Sequence, residues 1–118
     1  MNIEAYRNYC LAKKGVTEEF PFDENTLVYK VMGKMFALAD VDSFQSINLK
    51  CDPAKAIQLR EAYEGVTPGY HMSKKHWNTV RTDGSIPEKL IYQWIDDSYK
   101  LVASKLSRAD QAWLEQVG

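Results

Sequence analysis

Leu27-Val28-Tyr29-Lys30-Val31-Met32-Gly33-Lys34-Met35-Phe36-Ala37-Leu38 is where the period of the chain changes. Leu27, Tyr29 and Val31 alternate with Val28, Lys30 and Met32, which sends two sets of side chains to opposite faces of an extended segment. Met35 to Leu38 is a second short apolar run, and Gly33 between the two marks a turn, so the stretch predicts a β-hairpin. Met32-Gly33 is not the Asn-Gly pair that two-residue loops prefer, and the turn type is left open.

Working outward, Gln45 to Lys50 reads as a further strand, with Ile47 and Leu49 on one face and Ser46, Asn48 and Lys50 on the other. Before the hairpin, Asn2 caps a predicted helix that runs to Lys14, puts Ile3, Tyr6 and Cys10 on one side and ends at Gly15. After it, Asp52-Pro53 is an N-cap with proline at the first helical position, opening a helix to about Tyr63 with Ala54, Ile57 and Leu59 inward. Thr67-Pro68-Gly69 reads as a turn or loop, and His76 to Arg81 as an extended segment closed by Asp83-Gly84. Ser85 with Glu88 reads as a capping box for a long helix to about Leu106, whose Leu90, Ile91, Trp94, Ile95, Ser98, Leu101 and Val102 form a wide buried face. Ser107 with Asp110 caps a last helix ending near Val117. The order of elements predicts an α+β fold, an antiparallel sheet packed by helices, with Tyr29, Val31, Ile47 and Leu49 facing the first helix and the Leu90, Trp94 and Ile95 face.

A length of 118 residues suits one domain spanning 1–118, and 45% hydrophobic with 26% charged residues is a globular composition. No run approaches the roughly 20 apolar residues of a membrane span, and Met1 to Lys14 carries charge where a secretory leader would be apolar. The expectation is a cytoplasmic protein without membrane contact. Cys10 and Cys51 are too few for a disulfide framework and too far apart for paired zinc ligands; both are expected reduced and at least partly buried. Net charge is −1, but Leu27 to Leu38 carries Lys30 and Lys34 without an acid, and Gly69 to Arg81 carries Lys74, Lys75 and Arg81 without one. A basic surface on an otherwise acidic domain is the consequence.

The glycines at 15, 33, 65, 69, 84 and 118 never cluster into a phosphate loop, which leaves nucleotide cofactors without a motif. His71 and His76 have neither the helical nor the strand spacing of a metal pair. Cys10, a histidine and Asn78 are the residue types of a thiol nucleophile, base and orienting group, but a small core cysteine on the first helix is the simpler assignment. Asp96 and Asp97 point about 100° apart on a helix, so they are expected on a solvated face. The unusual stretch is Tyr70-His71-Met72-Ser73-Lys74-Lys75-His76-Trp77-Asn78-Thr79-Val80-Arg81, where cations and aromatics interleave as phosphate contact and stacking require. No catalytic set, cofactor or metal is expected.

Phe20-Pro21-Phe22, Tyr29 to Leu38, Leu49-Lys50-Cys51-Asp52-Pro53, Gly69 to Thr79 and Ser98-Tyr99 together resemble the bacterial MmcQ/YjbR family along nearly the whole chain. The resemblance implies a CyaY or frataxin type of fold and a DNA-binding role, and brings no catalytic residues. Frataxin-like iron binding would need an acidic ridge on the first helix, where this chain has only Glu4 before Gly15 beside Arg7, Lys13 and Lys14. The expected function is thus binding of double-stranded DNA with weak sequence preference. Lys30, Lys34, Lys50, Lys74, Lys75 and Arg81 would meet phosphate, with His76 among them and Trp77 and Asn78 against sugar or base edges. The alternative is a protein-interaction module anchored by Trp77, Tyr70 and Met72 with the lysines as rim.

Overall fold

The backbone turns back at Met32-Gly33 with both residues at positive φ, 49° and 84°, the mirror-image geometry that matches the twist of two flanking strands. Asn or Gly would adopt it at less strain than Met32. Methionine is explained by what its side chain reaches: it packs on the core and beside Gly15, whose carbonyl accepts the Met32 N–H at 3.1 Å. The hairpin is thereby pinned to the start of the preceding strand.

A computed structural model describes residues 1–116. Its elements are α1 (Ile3–Leu11), β1 (Val16–Glu19), β2 (Thr26–Val31), β3 (Lys34–Asp40), β4 (Ser46–Lys50), α2 (Pro53–Ala62), β5 (Val66–Pro68), β6 (Trp77–Arg81), α3 (Glu88–Ser104) and α4 (Arg108–Gln116). The strands form one six-stranded antiparallel sheet in the order β1-β2-β3-β4-β6-β5. α3 lies across β2, β3 and β4, α1 against β1, and α2 against β5 and β6. Tyr29, Val31, Ile47 and Leu49 are all buried in the cluster that also holds Tyr6, Cys10, Trp94 and Ile95, as their alternation predicts. The predicted end of the last helix near Val117 lies outside the described residues.

Several local expectations are corrected. β1 has no apolar alternation in Val-Thr-Glu-Glu, and it pairs all the same as a short polar edge, Val16 opposite Val31. Thr67-Pro68 is not free loop but part of β5, the other edge, where a proline at the strand end removes no needed donor. Register slips between Tyr29 and Lys30, so that Phe36 and Ala37 are both fully buried and Phe36 meets Tyr99 edge-on at 5.6 Å. α2 presents Ala56 and Leu59 to the sheet, leaving Ala54 and Ile57 exposed. Ser85 lies outside the first turn of α3, which opens at Pro87 without a side-chain cap; its N–H instead donates to Asp83.

Asp96 is not on a purely solvated face. Tyr9 Oη donates to its carboxylate at 2.7 Å and the Lys13 ammonium pairs with it, clasping the end of α1 to α3. Burial opposes its ionisation, but hydrogen bonds from Lys13 and Tyr9 outweigh that and hold the carboxyl below the usual carboxylate range. A folded pKa lowered in this way gives stability that is present above the unfolded value of about 3.9 and is lost as pH falls through the folded one. Asp96→Asn should therefore lower the urea midpoint at pH 6 to 7, with the gap to wild type closing as pH falls below about 4. A gap that stayed constant down to pH 2 would mean the carboxylate is not the stabilising species.

Candidate functional site

Because every helix packs on one side, the opposite side of the sheet must bury its own apolar residues, and Trp77 does so. It packs on Val28 and Leu38 with Met35 and Met72 beside it, leaving 4% of its surface exposed. Lys50, its cross-strand neighbour, holds its ammonium 5.1 Å from the indole centroid. Asn78 faces the helices and is 2% exposed. Arg60 Nε donates to its side-chain oxygen at 2.7 Å, and its amide donates to the Ala56 carbonyl at 3.3 Å. The same guanidinium donates to the carbonyls of Lys74 and Trp77, tying α2 to the loop before β6. Trp77 and Asn78 therefore do not reach sugar or base edges, nor can Trp77 anchor a protein partner; both hold the fold. Arg60, the residue that organises this corner, carries no signal in the sequence beyond being one more cation on a helix.

The register of β4 on β6 decides where the cations meet. Lys50 stands opposite Trp77, and the Cys51 N–H donates to the His76 carbonyl at 2.8 Å, so Lys74, Lys75 and His76 come to the end of the sheet where β4 finishes. β3 starts at that end, with Lys34 at its head. A groove of about 290 Å³ there is lined by Lys34, Lys50 and Lys105 around Met35 and Trp77. A second groove, about 410 Å³ between α2 and α3, shares Lys50 and adds Lys55 and Lys100. None of these lysines has a carboxylate within ion-pair distance among the described residues. The other two expected phosphate contacts do not join them: Lys30 is paired with Glu19 at 3.2 Å, and Arg81 stands at the far end of β6, paired with Asp83 at 2.8 Å.

Close approach of backbone shapes the neighbouring loop. A Cβ on Gly69 would sit 2.6 Å from that of Trp77, so glycine is required where the Gly69 N–H donates to the Trp77 carbonyl at 2.9 Å. Beyond it Tyr70 is 69% exposed and packs on His71 with ring centroids 4.0 Å apart and planes tilted by 52°, and His71 takes a left-handed φ of 58°. Tyr70 and the 62% exposed Phe22 border a cleft of about 520 Å³ on the open face of the sheet.

Thiol chemistry finds no support. Burial pushes the Cys10 thiol up to about 12, and burial also raises Cys51, so neither is a ready thiolate. Among the described residues no three His, Cys, Asp or Glu side chains are grouped to hold a metal ion.

The YjbR family model matches residues 11–101. Escherichia coli (strain K12) YjbR is 33% identical over 118 residues, covering 99% of this chain and all of that protein. The chain belongs to the YjbR family. YbdF of Escherichia coli O157:H7 is 40% identical over 93 residues, 78% of this chain and 76% of its own. Among solved structures, a Deinococcus radiodurans protein with a DUF419 domain superposes with a TM-score of 0.90 at 37% identity, covering 97% of this chain and 88% of that one. A Pseudomonas syringae protein superposes at 0.73 and 28% identity, covering 86% and 98%. The YjbR match contains the whole sheet and α2, and with them Lys34, Lys50, Lys55, Lys74, Lys75 and Lys100, whereas Lys105 lies beyond it.

Proposed function

We propose that this YjbR-family chain is a non-enzymatic, cytoplasmic DNA-binding protein that holds backbone phosphate at the lysine-lined end of its sheet. One observation supports this reading most: Lys34, Lys50 and Lys105 line a single groove, continued by Lys55 and Lys100, on a chain whose net charge is −1. Unpaired ammonium groups gathered on one end concentrate positive potential there, which the net charge conceals. The lysines come from strand ends and from separate helices instead of from one helix face, so contacts are to phosphate and sequence preference is weak. The bound DNA lies across the end of the sheet, over the heads of β3 and β6.

Each phosphate neutralised releases condensed counterion, so fluorescence anisotropy on a duplex should give a log–log salt slope of about −0.9 per contact. Three to five contacts give about −3 to −4.5, that is roughly a 40- to 500-fold loss of affinity between 50 and 200 mM salt. A flat salt response, or no duplex binding at 50 mM, would sink the proposal. The protein-interaction alternative would then move ahead, carried by the exposed Phe22 and Tyr70 instead of Trp77.

A further inference from the structure

We propose that the groove between α2 and α3 is a binding site for a small amphiphilic anion, a medium-chain alkyl carboxylate whose tail fills the groove and whose head meets the lysines at its mouth. The volume of about 410 Å³ falls in the range of small-molecule sites, roughly 300–1,000 Å³. Its floor is Leu49, Leu59, Val80 and Trp94, with Leu101 on the α3 wall. Ile57, expected on the inward side of α2, points to solvent and is 53% exposed, so it does not fill the groove.

The polar groups inside are already satisfied by the protein itself. The Ser98 hydroxyl lies 2.6 Å from the Lys50 carbonyl and 2.9 Å from that of Trp94, and the Asn78 amide is held by Arg60 and Ala56. A sugar, base or peptide backbone would find few free groups on this floor, the Ser98 oxygen as acceptor and one N–H of the Asn78 amide, and would lose most of its hydration without replacement. An alkyl chain loses nothing of the kind. At the mouth, Lys50, Lys55 and Lys100 are without ion-pair partners among the described residues. Two carboxylates share the lining, Asp97 and Asp52, the latter also accepting the N–H groups of Ala54 and Lys55 at the start of α2. Three ammonium groups against two carboxylates leave one positive charge in excess, so the head group is an anion.

Isothermal titration calorimetry of the full chain, without nucleic acid and below micelle-forming concentrations, tests this separately from DNA binding. Affinity should rise about fourfold for each CH₂ added from hexanoate to octanoate to decanoate. The binding heat-capacity change should be negative. Decanol should bind more weakly, and decyltrimethylammonium weaker still. Lys55→Ala with Lys100→Ala leaves Lys50 against Asp52 and Asp97, so decanoate should bind no more tightly than decanol, whose own affinity is unchanged; both positions are exposed, so folding is preserved. Leu101→Trp should fill the groove and abolish both. Absence of binding, affinity independent of chain length, a decyltrimethylammonium affinity equal to that of decanoate, or decanoate binding unchanged in the double variant would each overturn the proposal.

Discussion

Trp94→Ala should destabilise the protein by about 3 to 5 kcal/mol. The indole is 6% exposed, meets the Tyr63 ring edge-on at 5.2 Å, and lies in the cluster that joins α3 to Tyr29, Ile47 and Leu49. Two contributions add: the transfer free energy of the lost aromatic surface and the space left by it. One side of the indole borders the groove between α2 and α3, so part of that space opens to water instead of remaining a sealed void. The cost should therefore fall toward about 3 kcal/mol, a drop in Tm of roughly 10 °C or more for a chain of this size. Urea and thermal unfolding followed by circular dichroism measure it. Trp113, 47% exposed on α4, is the control, and Trp113→Ala should move the midpoint by no more than about 0.5 kcal/mol. Equal effects at the two positions would mean that α3 does not pack by the face assigned to it.

Periodicity made the centre of the fold legible and its margins opaque, for physical reasons. β4 is half-buried, and half-burial writes itself as alternation in Ile47-Leu49; the core-facing set of β2 alternates likewise in Leu27-Tyr29-Val31, although Val28 is buried on the other face. β1 and β5 are edges, where polar residues and Pro68 are tolerated because an edge need not be apolar on either side. The bulge at Phe36 breaks the two-residue period with two consecutive inward residues, which a local pattern cannot distinguish from a plain apolar run. α2 turns Ala56 inward in place of Ile57, and that small side chain lets the Asn78 amide reach a helix carbonyl. Choosing between Ala56 and Ile57 as the inward residue needs knowledge of β6.

The basic surface was half legible. Lys34, Lys50, Lys74 and Lys75 are conspicuous as cations without neighbouring acids, but Lys55, Lys100 and Lys105 are ordinary helix-surface lysines until strand register and the crossing of α3 bring them to the same end. Basic sequence neighbours suggest that Trp77 is accessible without deciding it. Its burial is set by Val28 and Leu38, roughly 40 to 50 positions away in sequence, and no local pattern carries that.

Lys34→Ala, Lys50→Ala and Lys105→Ala combined should flatten the salt slope of duplex binding by about 2.7, at 0.9 for each phosphate contact removed. Carried from a 1 M reference to 50 mM salt, that slope change corresponds to a loss of about three and a half orders of magnitude in affinity. Such a loss cannot be mistaken for a folding defect, because the stability cost is small: Lys34 and Lys105 are exposed and unpaired among the described residues, and Lys50 forfeits a cation–π contact of about 0.5 to 1 kcal/mol. The combination Lys30→Ala with Arg81→Ala removes charge too, but from side chains already neutralised by Glu19 and Asp83 at other places on the sheet. It also frees those carboxylates, so affinity should fall several-fold at most through the general field while the slope stays within about 0.5 of wild type. The two variants together separate a located phosphate site from net charge. Equal slopes in both would mean that charge is felt as a diffuse field, and the lysine-lined end of the sheet would lose its claim to be where DNA is held.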